Sequence, residues 1–449
     1  GDPRDGSRHR GVAYRDLSAI LFRGAGPFGL IMRCYEMVYG PRQCTYMRFN
    51  KESRERLGME WKAIQQAMRE REIDAWLLYD FRGSNPVFWQ LLGERRKTTR
   101  RVFLCILQEG TPRALGSSVE PAALEGLGFS VGHYASRKEL VARLADSVED
   151  VRRVAMEYYP GGQLPGLSWV DGGTLDLVRS LGVEVVSSAD LCQVALATWK
   201  EEAVTAHEEA CAQVAMVKDE AFEYIRESLE KHVNLTEYEV QQWIAEALIE
   251  RGLEIDHPPI VAVNEHSGDP HYAPQEGLRA TIKRGDWLLI DLWGRRPGEA
   301  NPFADMTWVA YAGPEVPEAH ARVFSAVKEA RDIVVERVQT AWSTSETVRG
   351  WELDRIARDY IEAAGYGAHF VHRTGHSLGP GPTIHALGAN LDDYETHDTR
   401  EVLPGTGFSV EPGVYLPEFG VRLEIDVYVD PKAGPRVTTP VQRAPILLI

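Results

Sequence analysis

Two short stretches of this chain place carboxylates where strand residues are ordinarily apolar. In LLIDLWGRRPGEANPFADMTWVAY, strand-like runs flank a turn centred on Gly298, so Asp291 and Asp305 are expected opposite one another on one face of a hairpin. In SVEPGVYLPEFGVRLEI, a turn at Pro417 and Glu418 sets Glu411 opposite Glu424 among apolar strand residues. Asp is depleted in strands, and like charges facing each other destabilise a sheet. Two such hairpins require something positive between the acids, or a wet edge. A third stretch, HRTGHSLGPGPTIHALG at 372–388, holds three of the thirteen histidines. His372 and His376 are four residues apart, but Gly375, Gly379, Pro380, Gly381 and Pro382 deny them the helix of an HExxH-type zinc site. The segment is expected to be a loop that places imidazoles by backbone shape. Four carboxylates carry the charge that two divalent cations neutralise, and His376 adds one nitrogen donor. Asp291, Asp305, His376, Glu411 and Glu424 thus compose an oxygen-rich dinuclear metal site, which would hold a hydroxide between its ions at neutral pH. Hard divalent ions suit such donors: Mn²⁺ is expected, with Co²⁺ or Zn²⁺ as substitutes.

The elements that must position these residues follow from periodicity. Long amphipathic helices are expected at 200–230 and 236–252, with start signals at Asn234 and Thr236, and further helices at 317–341 and 345–364. Strands are expected at 258–264, 286–293 and 306–311, and the C-terminal part is strand-rich. Upstream, strands at 74–79, 101–107 and 151–159 with a helix at 137–148 suggest a small α/β domain. No phosphate-cradling glycine loop follows any of these strands. The expected division is a leader at 1–50, an α/β domain at 51–195 and an α+β catalytic domain at 196–449. The leader holds eight Arg and four acids, and its apolar run is broken by Arg23 and Pro27, so a secretory signal fits poorly. Helical pattern begins just after Met47, which makes that residue a sensible start.

A net charge of −16, with no basic stripe, argues against nucleic-acid binding, and no apolar run reaches the ~18 residues of a membrane span. Cys34, Cys44, Cys105, Cys192 and Cys211 are odd in number and irregularly spaced, as expected of reduced thiols in a cytoplasmic protein.

The two carboxylate hairpins and the histidine loop together resemble the pita-bread metallopeptidases, the family of aminopeptidase P, prolidase and creatinase. The resemblance covers roughly 50–445 and is strongest over 200–430. It implies a pita-bread catalytic domain behind a creatinase-like N-terminal domain, a homodimer, and hydrolysis of the bond before proline in a peptide or dipeptide. It also implies roles: Asp291 on one metal, His376 and Glu411 on the other, Asp305 and Glu424 bridging, and Glu411 as general base. His271, in DPHYAP, matches a substrate histidine on an approach strand; His385 matches the histidine that meets the scissile carbonyl, and His372 lines the pocket nearby. Arg422 matches an arginine that orients a carboxylate ligand. His257, His266 and His369 are taken as structural or exposed. The chain departs from the family's pattern in longer intervals from Asp291 to Asp305 and from His376 to His385, with Trp308 in place of an arginine and Phe303 in place of a tyrosine. Both longer intervals are expected to border the cleft and bear on substrate size. Two other readings stay open at this point: a hydrolase or lyase of the same fold acting on a small zwitterion, and a binding protein without turnover.

Overall fold

Alternation along one strand explains how carboxylates come to be buried. In β8 (Trp287–Gly294) all eight residues are buried. Leu288, Ile290 and Leu292 pack among Val214, Val217, Ile244 and Leu248 of helices α5 (Glu201–Glu230) and α6 (Glu237–Glu250). The other face carries Trp287 and Leu289, which join a second core built on α7 (Glu318–Thr344) and α8 (Gly350–Ala363). Asp291 and Trp293 share that inner face by the two-residue period of a strand. β9 (Ala304–Tyr311) repeats the pattern: Ala304, Met306 and Ala310 meet the helices, so Asp305, Thr307 and Val309 point inward.

The computed structural model describes residues 51–449. The expected leader at 1–50 and the start at Met47 lie outside the described residues. The helix expected from residue 51 spans Lys51–Glu70 and is α1. A six-stranded mixed sheet follows, made of β1 (Ala75–Phe81), β2 (Arg101–Leu107), β3 (Arg113–Ser117), β4 (Ser130–Tyr134), β5 (Arg153–Met156) and β6 (Glu184–Ser187), in the order β4-β3-β2-β1-β5-β6. Helices α2 (Pro86–Leu92), α3 (Arg137–Ser147) and α4 (Gly172–Arg179) connect them, each started by a side-chain cap from Asn85, Ser136 or Asp171. β3, β4 and β6 escape sequence reading because RALGS, SVGHY and EVVS are too short to establish a period. The strand expected at 151–159 ends at Met156.

Downstream, β7 (Ile260–Val263), β8, β9 and β16 (Ile446–Leu447) form a sheet in the order β16-β9-β8-β7. β10 (Ser377–Leu378), β11 (Gly407–Val410), β14 (Ile425–Asp430) and β15 (Gly434–Val437) form another, in that order. β12 (Gly413–Tyr415) and β13 (Gly420–Arg422) make a separate ribbon. Thr236 starts α6 with a reciprocal capping box to Glu239, whereas Asn234 caps nothing. α8 begins at Gly350 rather than 345, because α7 runs on to Thr344 and closes with Ser345 in the left-handed conformation. Among the described residues no helix is long and apolar enough to cross a membrane.

The histidine loop is held by backbone contacts that no helix could supply. Thr374 O accepts from Glu411 N at 2.8 Å, and His376 O accepts from Ser409 N at 2.8 Å. The approach is so close that a Cβ on Gly375 would lie 2.0 Å from the Ser409 carbonyl oxygen. Buried Asp354, on α8, anchors the start of the loop: it accepts from Thr374 N at 2.8 Å and Thr374 Oγ1 at 2.7 Å while pairing with buried Arg358 at 3.0 Å. Asp354→Ala would strand the Arg358 charge and release Thr374. The expected cost is about 3–5 kcal/mol of unfolding free energy, read as a lowered urea midpoint at unchanged slope.

Candidate metal centre

The two hairpins deliver their acids differently. In the second, Gly413 pairs with Arg422 and Val410 with Ile425, so the common register of β12–β13 and β11–β14 sets Glu411 against Glu424 between the two ladders, with the turn closed by Leu416 N to Phe419 O at 2.9 Å. In the first, the register corrects the expectation: Asp305 pairs with Trp293, and Asp291 pairs with Thr307. The two aspartates share a face but stand diagonally, two residues out of register. The stagger separates the two carboxylates and leaves Thr307 beside Asp291.

Around them the polar groups converge. His376 donates through Nδ1 to Ser377 O at 3.2 Å, which leaves the Nε2 lone pair free; Nε2 lies 3.4 Å from Asp305 Oδ2 and 3.6 Å from Glu411 Oε1. Donor atoms of Asp305, His376 and Glu424 all lie within 4.8 Å of one another. Buried Asp291 Oδ1 and Asp305 Oδ1 have no hydrogen-bond partner. Burial, then the charges of Asp291, Asp426 and Glu411, push the Asp305 carboxyl well above the usual carboxylate range. Burial followed by Asp305 and Glu411 does the same to Glu424. For Glu411 burial outweighs Arg422 and Arg373, and its carboxyl is pushed up to about 7. Burial, then His385, keeps the His376 imidazole neutral. Orphaned buried carboxylate oxygens and a free imidazole nitrogen fit divalent cations. These residues suit that group.

Arg422 is the cation already present. Nη2 donates to Asp291 Oδ2 at 2.5 Å, and Nε to Thr307 Oγ1 at 3.1 Å. Thr307 Oγ1 in turn donates to Glu424 Oε2 at 2.8 Å, so one guanidinium orients two of the five acids and imidazoles of the set, Asp291 directly and Glu424 through a hydroxyl. Nη1 donates to Tyr415 OH at 3.0 Å, whose hydroxyl donates to His372 Nε2 at 2.7 Å. His372 Nδ1 donates to Arg373 O at 2.6 Å. Both His372 nitrogens are therefore taken up by protein, and burial followed by Arg422 lowers its pKa to about 3.

His385 stacks edge-on against His376, with ring centroids 4.3 Å apart, and still reaches solvent. His271 lies in an exposed turn rather than on a strand, since Asp269 Oδ1 caps its amide at 3.0 Å. Its charge is nonetheless felt by both His372 and His385. Trp308 does not face the centre: it packs toward α5, with Lys218 Nζ over its ring at 3.3 Å. The hairpin tip and the loop at 379–382 lock together, Arg295 donating to Gly381 O at 2.5 Å and Gly381 N to Glu299 O at 2.8 Å. Gln90 of α2 adds a bond to Pro380 O at 2.9 Å.

Several participants escaped sequence reading. Asp426 accepts from Asp305 N at 2.8 Å and lies two residues past Glu424, a spacing that could have flagged it. Thr307, two past Asp305, carries the same signal. Tyr415 and Ser409, which donates to Glu411 Oε1 at 3.1 Å, carry none.

The crowding has a measurable consequence without metal. Burial raises the Glu411 carboxyl from the ordinary 4.5 to about 7, so the folded state binds more protons than the unfolded state across that interval. Its contribution therefore turns destabilising as pH rises from about 4.5 to about 7. Buried histidines act in the opposite sense, so the effect is read as a difference. In chelator-stripped protein, Glu411→Gln should match wild type near pH 4.5 and exceed it by at most about 3 kcal/mol at pH 7. Equal stability of the two at pH 7 would refute the crowding.

The profile of metallopeptidase family M24 matches residues 205–431. The chain is 32% identical over 197 residues to a putative dipeptidase, YkvY, of Bacillus subtilis, covering 43% of this chain and 49% of that relative. Among solved structures it is similar to dipeptidase PepE from Mycobacterium ulcerans, with TM-score 0.64 and 23% identity over 87% of this chain and 98% of that one. It is similar also to a prolidase from Thermococcus sibiricus, with TM-score 0.57 and 21% identity over 87% and 99%. The fold is thus the pita-bread fold with an α/β sheet preceding it. With buried carboxylates and a free imidazole nitrogen converging on that fold, the chain belongs to metallopeptidase family M24.

Proposed function

We propose that the protein is a dinuclear metallopeptidase that hydrolyses the bond before proline, with dipeptides as its main substrates. One observation carries the metal part of this reading: donor atoms of Asp305, His376 and Glu424 lie within 4.8 Å of one another, while buried Asp291 Oδ1 and Asp305 Oδ1 lack any partner. The dipeptide preference is supported by the names of YkvY and PepE, and the proline preference by the likeness to a prolidase.

Asp291, Asp305, His376, Glu411 and Glu424 would hold two divalent ions, for which Mn²⁺ suits the oxygen-rich set. When bound, such ions supply Lewis acidity toward the scissile carbonyl and toward water. The chain's own groups supply the remainder. Glu411, oriented by Ser409 Oγ at 3.1 Å, takes a proton from the attacking water and returns it to the leaving proline nitrogen as the C–N bond breaks. His385, beside His376, donates to the carbonyl oxygen as negative charge develops there. Arg422 and Thr307 keep Asp291 and Glu424 aimed inward. His372, with both nitrogens engaged, acts by holding Tyr415 and so Arg422, and His271 offers an exposed imidazole at the rim. We also propose that the chain divides near residue 195 and works as a cytoplasmic homodimer.

The decisive experiment combines metal analysis of purified protein with proline release from a panel of Xaa-Pro dipeptides. About two ions per chain and chelator-sensitive proline release are expected; no transition metal and chelator-insensitive activity would exclude the reading. Asp305→Ala and Glu424→Ala should each lose metal and turnover, since each removes charge that two cations share. Full activity in either variant refutes the dinuclear assignment. His385→Ala should keep its metal yet lose ~10²–10³ in kcat with little change in KM. Loss of metal in that variant would instead make His385 a ligand.

A further inference from the structure

Beside the metal centre stands an imidazole that the mechanism above does not use. His257 Nδ1 bonds Asp256 Oδ1 at 2.8 Å, and the His257 side chain is 58% exposed. The same Asp256 carboxylate accepts from Trp293 Nε1 at 2.7 Å and, through Oδ2, from Ile384 N at 3.2 Å. Trp293 pairs with Asp305, and Ile384 precedes His385, which packs on His376. One half-buried carboxylate therefore ties His257 to both walls of the metal centre. The His257 ring leans on the Trp293 indole with centroids 4.4 Å apart, and Pro258 and Pro259 restrict the backbone behind it. With Nδ1 committed to Asp256, Nε2 is the nitrogen left to face solvent. Asp256 and, more weakly, Asp291 favour the protonated ring, while the charge of His257 reaches His385. A fixed imidazole that Asp256 biases toward its protonated form, at the rim of the candidate metal centre and beside a flat apolar ring, is suited to an anion carried by a small amphiphile.

We propose that His257, held by Asp256, receives a carboxylate of the substrate at the edge of the metal centre. The inference rests on the peptidase reading and deepens it, by giving the substrate's negative charge a place. Two carboxylates could occupy it: the C-terminus of a dipeptide, or an acidic side chain on its first residue. A binding role should appear in KM and leave kcat nearly unchanged.

The test uses metal-loaded full-length protein: wild type, His257→Gln and His257→Arg, with Ala-Pro, Ala-Pro amide, Glu-Pro and Gln-Pro as substrates. For a C-terminal carboxylate, His257→Gln raises KM for Ala-Pro roughly ten- to a hundredfold, leaves Ala-Pro amide unaffected, and His257→Arg restores most of the loss. For a side-chain carboxylate, the rise is confined to Glu-Pro against Gln-Pro. Unchanged KM for every substrate overturns the proposal, as does a loss in kcat that falls equally on all four. If wild type cleaves only dipeptides without proline, Ala-Ala and its amide take over the comparison. The proline reading then fails, while the assignment of His257 stands or falls on the same ratio. If no dipeptide is cleaved, or bound in calorimetry, both are overturned.

Discussion

Mutual repulsion among buried carboxylates is the constraint around which this protein is organised. Asp291, Asp305, Glu424 and Asp426 are buried close to one another and to partly buried Glu411, and the guanidinium of Arg422 balances a fraction of that charge. Left to themselves the acids respond by holding protons, as the raised values of Asp305, Glu411 and Glu424 show. A fold tolerates such a cluster when strong packing on every side prevents it from opening. Here that packing is two apolar cores, one against α5 and α6 and the other against α7 and α8, with the acids on the strand faces between them.

The supporting polar groups are economical because each serves two purposes. Arg422 orients Asp291 directly, reaches Glu424 through Thr307, and also fixes Tyr415. Asp354 holds Thr374 while balancing Arg358, so the helix that packs the core also starts the loop bearing His376. Asp426 receives the Asp305 amide and thereby ties β9 to β14 at the point where the metal donors meet. Asp256 unites Trp293, His257 and Ile384 in the same way at the rim. Each of these contacts joins residues distant in sequence, so the geometry of the centre depends on how the sheets and helices dock.

The two loops expected to border the cleft acquire a physical sense once seen together. The hairpin tip after Gly294 and the Gly379–Pro382 run bond to each other through Arg295, Glu299 and Gly381, with Gln90 reaching across from α2. Joined in this way they form one wall beside Trp293 and Ile384, which share a small apolar cluster with Phe303. Phe303 lies under Arg295 with the guanidinium 4.7 Å from its ring, so the residue that stands in place of a tyrosine is part of that wall.

Much of the site was legible in the chain because its signals are local. Facing acids around a tight turn, with apolar neighbours, identify Glu411 and Glu424, and the glycines and prolines around His376 exclude a helix in favour of a shaped loop. Helices α5 to α8 follow from periodicity over more than ten residues each. The short strands β3, β4 and β6 did not, because four or five residues cannot establish a period. Neither could sequence reveal that Asp291 and Asp305 are staggered, since the register of a hairpin with a nine-residue tip is set by what packs on the strands rather than by its turn. The relay from Arg422 through Thr307, the engagement of both His372 nitrogens and the sharing of Asp256 join residues brought together only by docking. The donor types, and the pairing of Glu411 with Glu424, were written locally in the sequence. Which oxygen is held, which is left bare and which imidazole stays free were decided by tertiary packing, because those choices depend on neighbours more than a hundred residues away.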